Sequence, residues 1–253
     1  MKSSKKWLLG ALLFGASMQT ANAGEVNAAV AANFTEPMEQ IVKLFQAESG
    51  HTVRVSLGST GKFYSQIQNG APFDVLVAAD EKVPQRLEKE GLALDGSRFV
   101  YAVGKLVLWS AQPGLVDAKG AILRKGNYNK LAIGDPKLAS YGTAAKEALE
   151  DMGLWSVIQG KLVTGENITQ TYQFAATGNA ELAFIALSQV TKDGKVTAGS
   201  WWIVPAHLYN PIKQSAVQLS AAKDKAATQA FLTFLKSEKA KEVIRSFGYE
   251  LPK

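Results

Sequence analysis

The feature that most limits how this chain can fold is a unit that occurs twice near its start: a strand pattern, a loop of small residues, then an amphipathic helix pattern. Residues 26–31 read as a strand, followed by Asn33-Phe34-Thr35 and by Met38, Ile41, Val42 and Phe45 at helical spacing, with Thr35 as the expected N-cap. Residues 52–57 read as a second strand, which runs into Gly58-Ser59-Thr60-Gly61-Lys62 and then a helix pattern at Phe63, Tyr64 and Ile67. Residues 75–79 form a continuous apolar run, as expected of a strand buried on both faces, and a helix holding Val83 and Leu87 follows. This alternation predicts an α/β sheet with helices on both faces and with ligands at the carboxyl ends of its strands. A second unit is read from a strand over residues 100–109, a strand at 131–134, a helix at 143–152, a short helix at 170–176 and a strand at 182–187. Residues 204–219 look extended, and helices at 226–235 and 240–247 close the chain. Two crossings, near residues 101–104 and 208–212, would divide it into one lobe of residues 24–102 with 211–253 and a second of 103–210. The cleft between them is the expected binding site.

The first residues supply an export leader. Lys2, Lys5 and Lys6 precede an apolar run of 12 residues, 7–18, and then Ala21-Asn22-Ala23, the three-part layout of a cleavable signal peptide over residues 1–23. A run that short falls well below the roughly 20 residues needed to span a bilayer. The sequence holds no cysteine, so neither a disulfide framework nor a thiol-linked lipid anchor is available. Loss of the three leader lysines lowers the formal charge from +6 to +3, too mild to argue for nucleic acid. The exported chain would be soluble in a periplasm.

Four loops carry the chemistry. Gly58-Ser59-Thr60-Gly61-Lys62 lies between a strand end and a helix start, where unsatisfied N–H groups and a partial positive charge point outward. Asn33 and Thr35 stand at the equivalent place after the first strand, and Ser140-Tyr141-Gly142-Thr143 and Asn167-Ile168-Thr169 precede helices of the second unit. Ordinary helix capping is the plain alternative for all of them. These loops hold one lysine, Lys62, whose head is expected in water, and no arginine; Glu166 is read as a solvated carboxylate. A buried dianion can be held by several preorganised neutral donors, and such a site would disfavour an anion that still carries a proton. An amino-acid or peptide binder would want an arginine and an acid here.

His51 and His207 are the only histidines, and neither has a Ser or Asp partner at catalytic spacing, so both read as structural and the chain as no enzyme. No cysteine and no histidine pair at ligand spacing argue for a metal site. Asp74, Asp80 and Asp135 fit strand and helix ends, and Trp201-Trp202 is expected to face the core.

With these loops in hand, the sequence resembles the periplasmic molybdate-binding component of ABC importers, the ModA family. Ala31-Ala32-Asn33-Phe34-Thr35, Gly70-Ala71-Pro72-Phe73-Asp74 with Ala79-Asp80, Gly134-Asp135-Pro136 and Ala145-Lys146-Glu147-Ala148-Leu149 carry the likeness along the whole exported chain. The resemblance implies two α/β lobes joined by a two-strand hinge, the type II periplasmic-binding-protein fold. It implies molybdate or tungstate as ligand, with molybdenum present only inside the bound oxyanion, no cofactor, a membrane permease as partner, and a monomer. By position it assigns Asn33 in the first loop, Thr60 and its neighbour Ser59 at the second helix start, Tyr141 in the third loop, and Ile168 through its backbone N–H. Some family members use a tyrosine where this chain has Ala186, which leaves Tyr141 to supply the aromatic donor. Another oxyanion, such as sulfate or thiosulfate, remains the alternative ligand.

Overall fold

The structure, a computed structural model, describes residues 23–252, so the leader lies outside the described residues apart from Ala23. The chain opens with β1 (Glu25–Ala31), a 3-10 turn (Ala32–Phe34), α1 (Thr35–Ser49), β2 (Thr52–Gly58), α2 (Thr60–Gln68), β3 (Val75–Val77), α3 (Lys82–Lys89) and β4 (Phe99–Gly104). It continues through β5 (Leu106–Ser110), α4 (Ile122–Lys125), β6 (Leu131–Gly134), α5 (Ser140–Asp151), β7 (Leu162–Gly165), α6 (Ile168–Ala176) and β8 (Leu182–Ala186). A small hairpin, β9 (Thr191–Lys192) and β10 (Lys195–Val196), precedes β11 (Ser200–Ile203), β12 (Ile212–Gln218), α7 (Lys225–Leu235) and α8 (Glu238–Ser246). None of the described helices is long and apolar enough to cross a membrane.

Two five-stranded sheets result, in the orders β2-β1-β3-β12-β4 and β11-β5-β8-β6-β7. Both are mixed. Strands joined through a helix run parallel, as β1 does to β2 and β3, and β6 to β7 and β8. Strands arriving from the other unit run antiparallel, as β12 does to β3 and β4. The apolar residues explain why each sheet is covered twice. Val26, Ala28 and Val30 face a core built with Phe45, Phe231 and Phe247, while Ala29 faces Phe63 and Leu87 on the opposite side. Leu106 and Leu108 likewise pack with α5, and Val107 and Trp109 on the other face. The period-two alternation is therefore apolar in both phases, as a sheet buried between two helix layers requires.

The strand expected over residues 100–109 is two strands. β4 belongs to the first sheet and β5 to the second, with Lys105 alone between them. A continuous apolar run cannot show that a chain changes sheets. The return passage runs through residues 204–211, where a 3-10 turn at Ala206–Leu208 interrupts the extended stretch that was expected. The sheet ends are aligned at the rim that matters: Ala31 lies opposite Gly58, and Gly134 opposite Gly165.

Candidate functional site

Because the loops leave the carboxyl ends of aligned parallel strands, they meet. One pocket is walled by Ala31, Ala32 and Asn33 after β1, by Gly58, Ser59 and Thr60 after β2, by Ala79 after β3, by Ala139, Ser140 and Tyr141 at the start of α5, and by Ile168 at the start of α6. All five residues assigned from the sequence, Asn33, Ser59, Thr60, Tyr141 and Ile168, are in this wall, and all are buried. The pocket holds about 220 Å³ of atom-free space, part of it open to solvent. That accommodates one compact species of a few heavy atoms. No charged side chain is in the wall.

The geometry distinguishes anion binding from capping at three of the four helix starts. The residues flanking the starts of the 3-10 turn, α2 and α5 are Ala31, Ser59 and Ala139, and none makes a side-chain capping hydrogen bond. Thr35 does not cap either. It is the first residue of α1, and its hydroxyl donates to the Ala32 carbonyl at 2.8 Å. At α6, by contrast, Asn167 accepts from the Gln170 N–H at 3.0 Å, which leaves the Ile168 N–H as an uncommitted first-turn donor. Each helix start carries roughly half a positive charge, so the convergence offers about the magnitude of a dianion's charge without one ionised side chain.

Ser59 is the most informative residue. Its hydroxyl is buried, caps nothing, and has no hydrogen-bond partner among the described residues. Leaving a hydroxyl so costs about 1–3 kcal/mol, and of the four buried side-chain groups without a partner among the described residues, Ser59, Tyr128, Thr191 and Ser215, only Ser59 is in the pocket wall. Thr60 differs: its Oγ1 accepts from the Ala79 N–H at 3.0 Å, which keeps the hydroxyl proton for another acceptor.

Behind the wall lies a buried network that sequence reasoning missed. The Asn33 amide nitrogen is engaged, donating to Gln214 Oε1 and to the Tyr249 hydroxyl, each at 2.8 Å. A donor from Asn33 to the pocket is therefore its backbone N–H. Gln214 Oε1 also accepts from the Tyr101 hydroxyl at 2.9 Å, and its Nε2 donates to the Tyr141 hydroxyl at 3.1 Å. Tyr249 and Ser188 donate to the Asn33 carbonyl at 2.8 and 2.9 Å. Burial pushes the Tyr101 and Tyr141 phenols well above their ordinary value, reinforced by neighbouring tyrosines and, for Tyr101, by Asp80. Burial also raises Tyr249 to about 12 against the opposing effect of its hydrogen bonds. All three remain protonated near neutrality, so they can serve as donors. Gln214 and Tyr249 stand 181 and 216 positions from Asn33, and no local pattern marked them.

Contacts across the cleft hold the two sheets together. The Gly61 N–H donates to the Leu138 carbonyl at 2.9 Å, and the Ser140 hydroxyl donates to Asp80 Oδ2 at 2.7 Å. Lys62 and Glu166, expected as separate solvated charges, form an ion pair at 2.9 Å, though both are exposed and neither walls the pocket. Gly61 thus serves approach to Leu138 rather than to a ligand. Ala186 is buried in β8 opposite Leu106 and is not in the wall.

The remaining polar residues have plain roles. Asp80 Oδ1 accepts from the Val83 N–H, Asp135 from the Lys137 N–H, and buried Asp74 from Asn27 and Lys223. His51 accepts from the Gly24 N–H and stacks on Phe45, while His207 is exposed in the 3-10 turn. Trp202 is buried as expected, but Trp201, on the opposite face of edge strand β11, is 39% exposed, because alternation along a strand cannot turn two successive residues inward. Among the described residues no group of three or more His, Cys, Asp or Glu could hold a metal ion.

Known proteins agree with this architecture. Residues 26–250 match the family model for bacterial extracellular solute-binding proteins. The chain is 55% identical to the molybdate-binding protein ModA of Azotobacter vinelandii over 99% of this chain and 100% of that one. It is 52% identical to ModA of Rhodobacter capsulatus over 94% and 93% of the two. The solved structure of the Azotobacter vinelandii periplasmic molybdate-binding protein superimposes with a TM-score of 0.88 at 41% identity, covering 90% of this chain and 100% of that one. The chain therefore belongs to the bacterial extracellular solute-binding proteins and, among them, to the ModA family.

Proposed function

We propose that this chain captures molybdate, and tungstate with it, in the periplasm and delivers it to the membrane permease of an ABC importer. The observation that carries the reading is the Ser59 hydroxyl, buried without a partner among the described residues in a pocket where three of the four helix starts carry no side-chain cap. An oxyanion oxygen is the acceptor it lacks. Thr60 and Tyr141 add hydroxyl protons, and Asn33 and Ile168 add backbone N–H groups. The wall presents donors and no carboxylate, which favours a fully ionised tetrahedral dianion over phosphate, whose remaining proton would need an acceptor. The ModA names of relatives 55% and 52% identical support molybdate over sulfate.

In this reading, residues 24–102 with 211–253 form one lobe and residues 103–210 the other, after export removes residues 1–23. The anion docks on one lobe, hinge closure completes the shell, and the permease reads the closed shape of a monomeric binding protein that catalyses nothing and needs no cofactor. Calorimetric titration of the purified chain with molybdate, tungstate, sulfate and phosphate tests it. The expected result is tight binding of the first two and none of phosphate; preference for sulfate, or silence with all four, overturns it.

A further inference from the structure

Gln214 joins the two halves of the site. It is fully buried on β12, beside a bulge in the β12–β4 pairing between Gln214 and Ser215. A bulge re-aims a side chain, and this one sends the carboxamide between Asn33 of the first unit and Tyr141 of the second. Gly104 leaves the room, since a methyl there would overlap the Tyr141 hydroxyl and lie 2.8 Å from Gln214 Nε2.

The direction of each bond follows from counting protons. Gln214 Oε1 receives Asn33 Nδ2 at 2.8 Å and stands 2.9 Å from the Tyr101 hydroxyl, whose single proton is shared with the Ala78 carbonyl at 3.2 Å, so the Asn33 donor and the shorter Tyr101 contact both place the carboxamide oxygen on this side. The amide nitrogen is then the group facing Tyr141, and it donates to the phenolic oxygen. Tyr141 has a single proton with two directions open to it, the neighbouring Tyr249 hydroxyl, whose oxygen already receives Asn33 Nδ2, and the pocket. We infer that Gln214 is a positioning residue that fixes the proton of Tyr141 toward the pocket, making a one-way chain of donors from Asn33 through Gln214 and Tyr141 to the oxyanion. Turned the other way, the carboxamide oxygen would take that proton, and Tyr141 would present only lone pairs to the ligand. A chain so aligned polarises each bond in turn, which strengthens the last one. The inference rests on the proposed contact between Tyr141 and the anion. The titratable groups near Gln214 are Tyr101 from β4, Tyr141 from α5 and Tyr249 beyond α8, with Asp80 acting on Tyr101 through space.

The test is molybdate calorimetry on Tyr141→Phe, Gln214→Met, their double variant and Gln214→Glu, each checked for fold by circular dichroism. Tyr141→Phe should weaken binding about tenfold to a hundredfold, and Gln214→Met nearly as much. Added to Tyr141→Phe, Gln214→Met should cost less than about twofold more, because the two act as one unit. Gln214→Glu reverses the bond, since a carboxylate accepts the Tyr141 proton; its affinity should recover about fivefold or more as pH falls from about 8.5 to 6.5, when the buried acid protonates and donates again, while the wild type stays flat. Wild-type affinity in Gln214→Met, additive losses in the double variant, or a flat profile for Gln214→Glu would each overturn the role of Gln214 with the Tyr141 contact intact. Unchanged affinity in Tyr141→Phe removes the contact itself.

Discussion

Replacing Ser59 by alanine separates a ligand-facing hydroxyl from a helix cap by the sign of two measurements. A capping serine lost from the start of α2 should lower the stability of the ligand-free protein by about 1 kcal/mol, a fall in Tm of roughly 2–4 °C for a chain of this size. Ser59 Oγ has no partner among the described residues, so Ser59→Ala should leave the ligand-free Tm unchanged or raise it, as removing an unsatisfied buried hydroxyl does. The affinity should change instead. A hydrogen bond to a charged group contributes about 1.5–3 kcal/mol, so molybdate binding should weaken between about tenfold and 150-fold. With molybdate at a hundred times the wild-type Kd, ligand stabilisation is about 2.7 kcal/mol, or roughly 5–10 °C. A hundredfold weaker variant at the same concentration keeps only about 0.4 kcal/mol, roughly 1 °C. Differential scanning calorimetry with and without molybdate reads both quantities from one sample. A lowered ligand-free Tm with an undiminished molybdate shift would mean that Ser59 is structural, and the assignment of the pocket would fall with it.

Thr60→Ala should weaken molybdate by about 1–3 kcal/mol in calorimetry and, unlike Ser59→Ala, also lower the ligand-free Tm, because the buried Ala79 N–H loses its acceptor. Gly104→Ala should abolish measurable binding while the far-ultraviolet spectrum stays native, since the added methyl occupies the place of the Tyr141 hydroxyl. Stability should be level from neutral pH to about pH 10 and then fall in alkaline titrations: Tyr101, Tyr141 and Tyr249 titrate higher in the folded state than unfolded, so their contribution is complete below the unfolded value near 10 and is lost as pH rises toward about 12, where Tyr249 ionises. Gly61→Ala should weaken every bound oxyanion by the same factor, measured as parallel shifts in competition titrations, with the ligand-free Tm unchanged or raised.

The loops were legible because strand, small-residue loop and helix leave a local signature, and aligned strand ends then place Asn33 beside Ser59 and Tyr141 beside Ile168. Boundaries were less so. α5 begins at Ser140 rather than at Thr143, and α6 at Ile168 rather than at Gln170, because hydrophobic periodicity marks the middle of a helix while its first turn is set by the strand it leaves. The sheet change at Lys105 and the outward face of Trp201 were hidden for a related reason: apolar content reports burial, not which sheet or which face. Gln214, Tyr101 and Tyr249 could not be found at all. A glutamine in an extended stretch has no periodic signal, and its partners are brought together only by closure of two sheets that the sequence interleaves.

If the lobes close on the anion as proposed, selection and closure are physically separable in this site, and Gly61 is the residue that tests it. The pocket wall decides which anion is held, because it supplies donors at fixed positions and no acceptor carboxylate. In the proposed closure the cross-cleft contacts, Gly61 to Leu138 and Ser140 to Asp80, set how often that wall is complete, and they act on every anion alike. At Gly61 an added Cβ would sit 3.0 Å from both Cα and O of Leu138, backbone atoms that cannot swing aside. The crowding exists only when the sheets meet, and costs about 1–3 kcal/mol there. In the open form the same methyl improves a helical position by up to about 1 kcal/mol. Apparent affinity is the intrinsic affinity scaled by the population that can close, so a shift of about 1.4 kcal/mol toward the open form lowers binding of molybdate and tungstate tenfold each and leaves their ratio untouched. A substitution in the wall must do the opposite, moving the ratio as well as the strength, because an oxygen cage of one radius meets a missing donor differently from another. Unequal losses for Gly61→Ala would therefore place Gly61 in the wall, and would dissolve the distinction between grip and closure on which the transport signal depends.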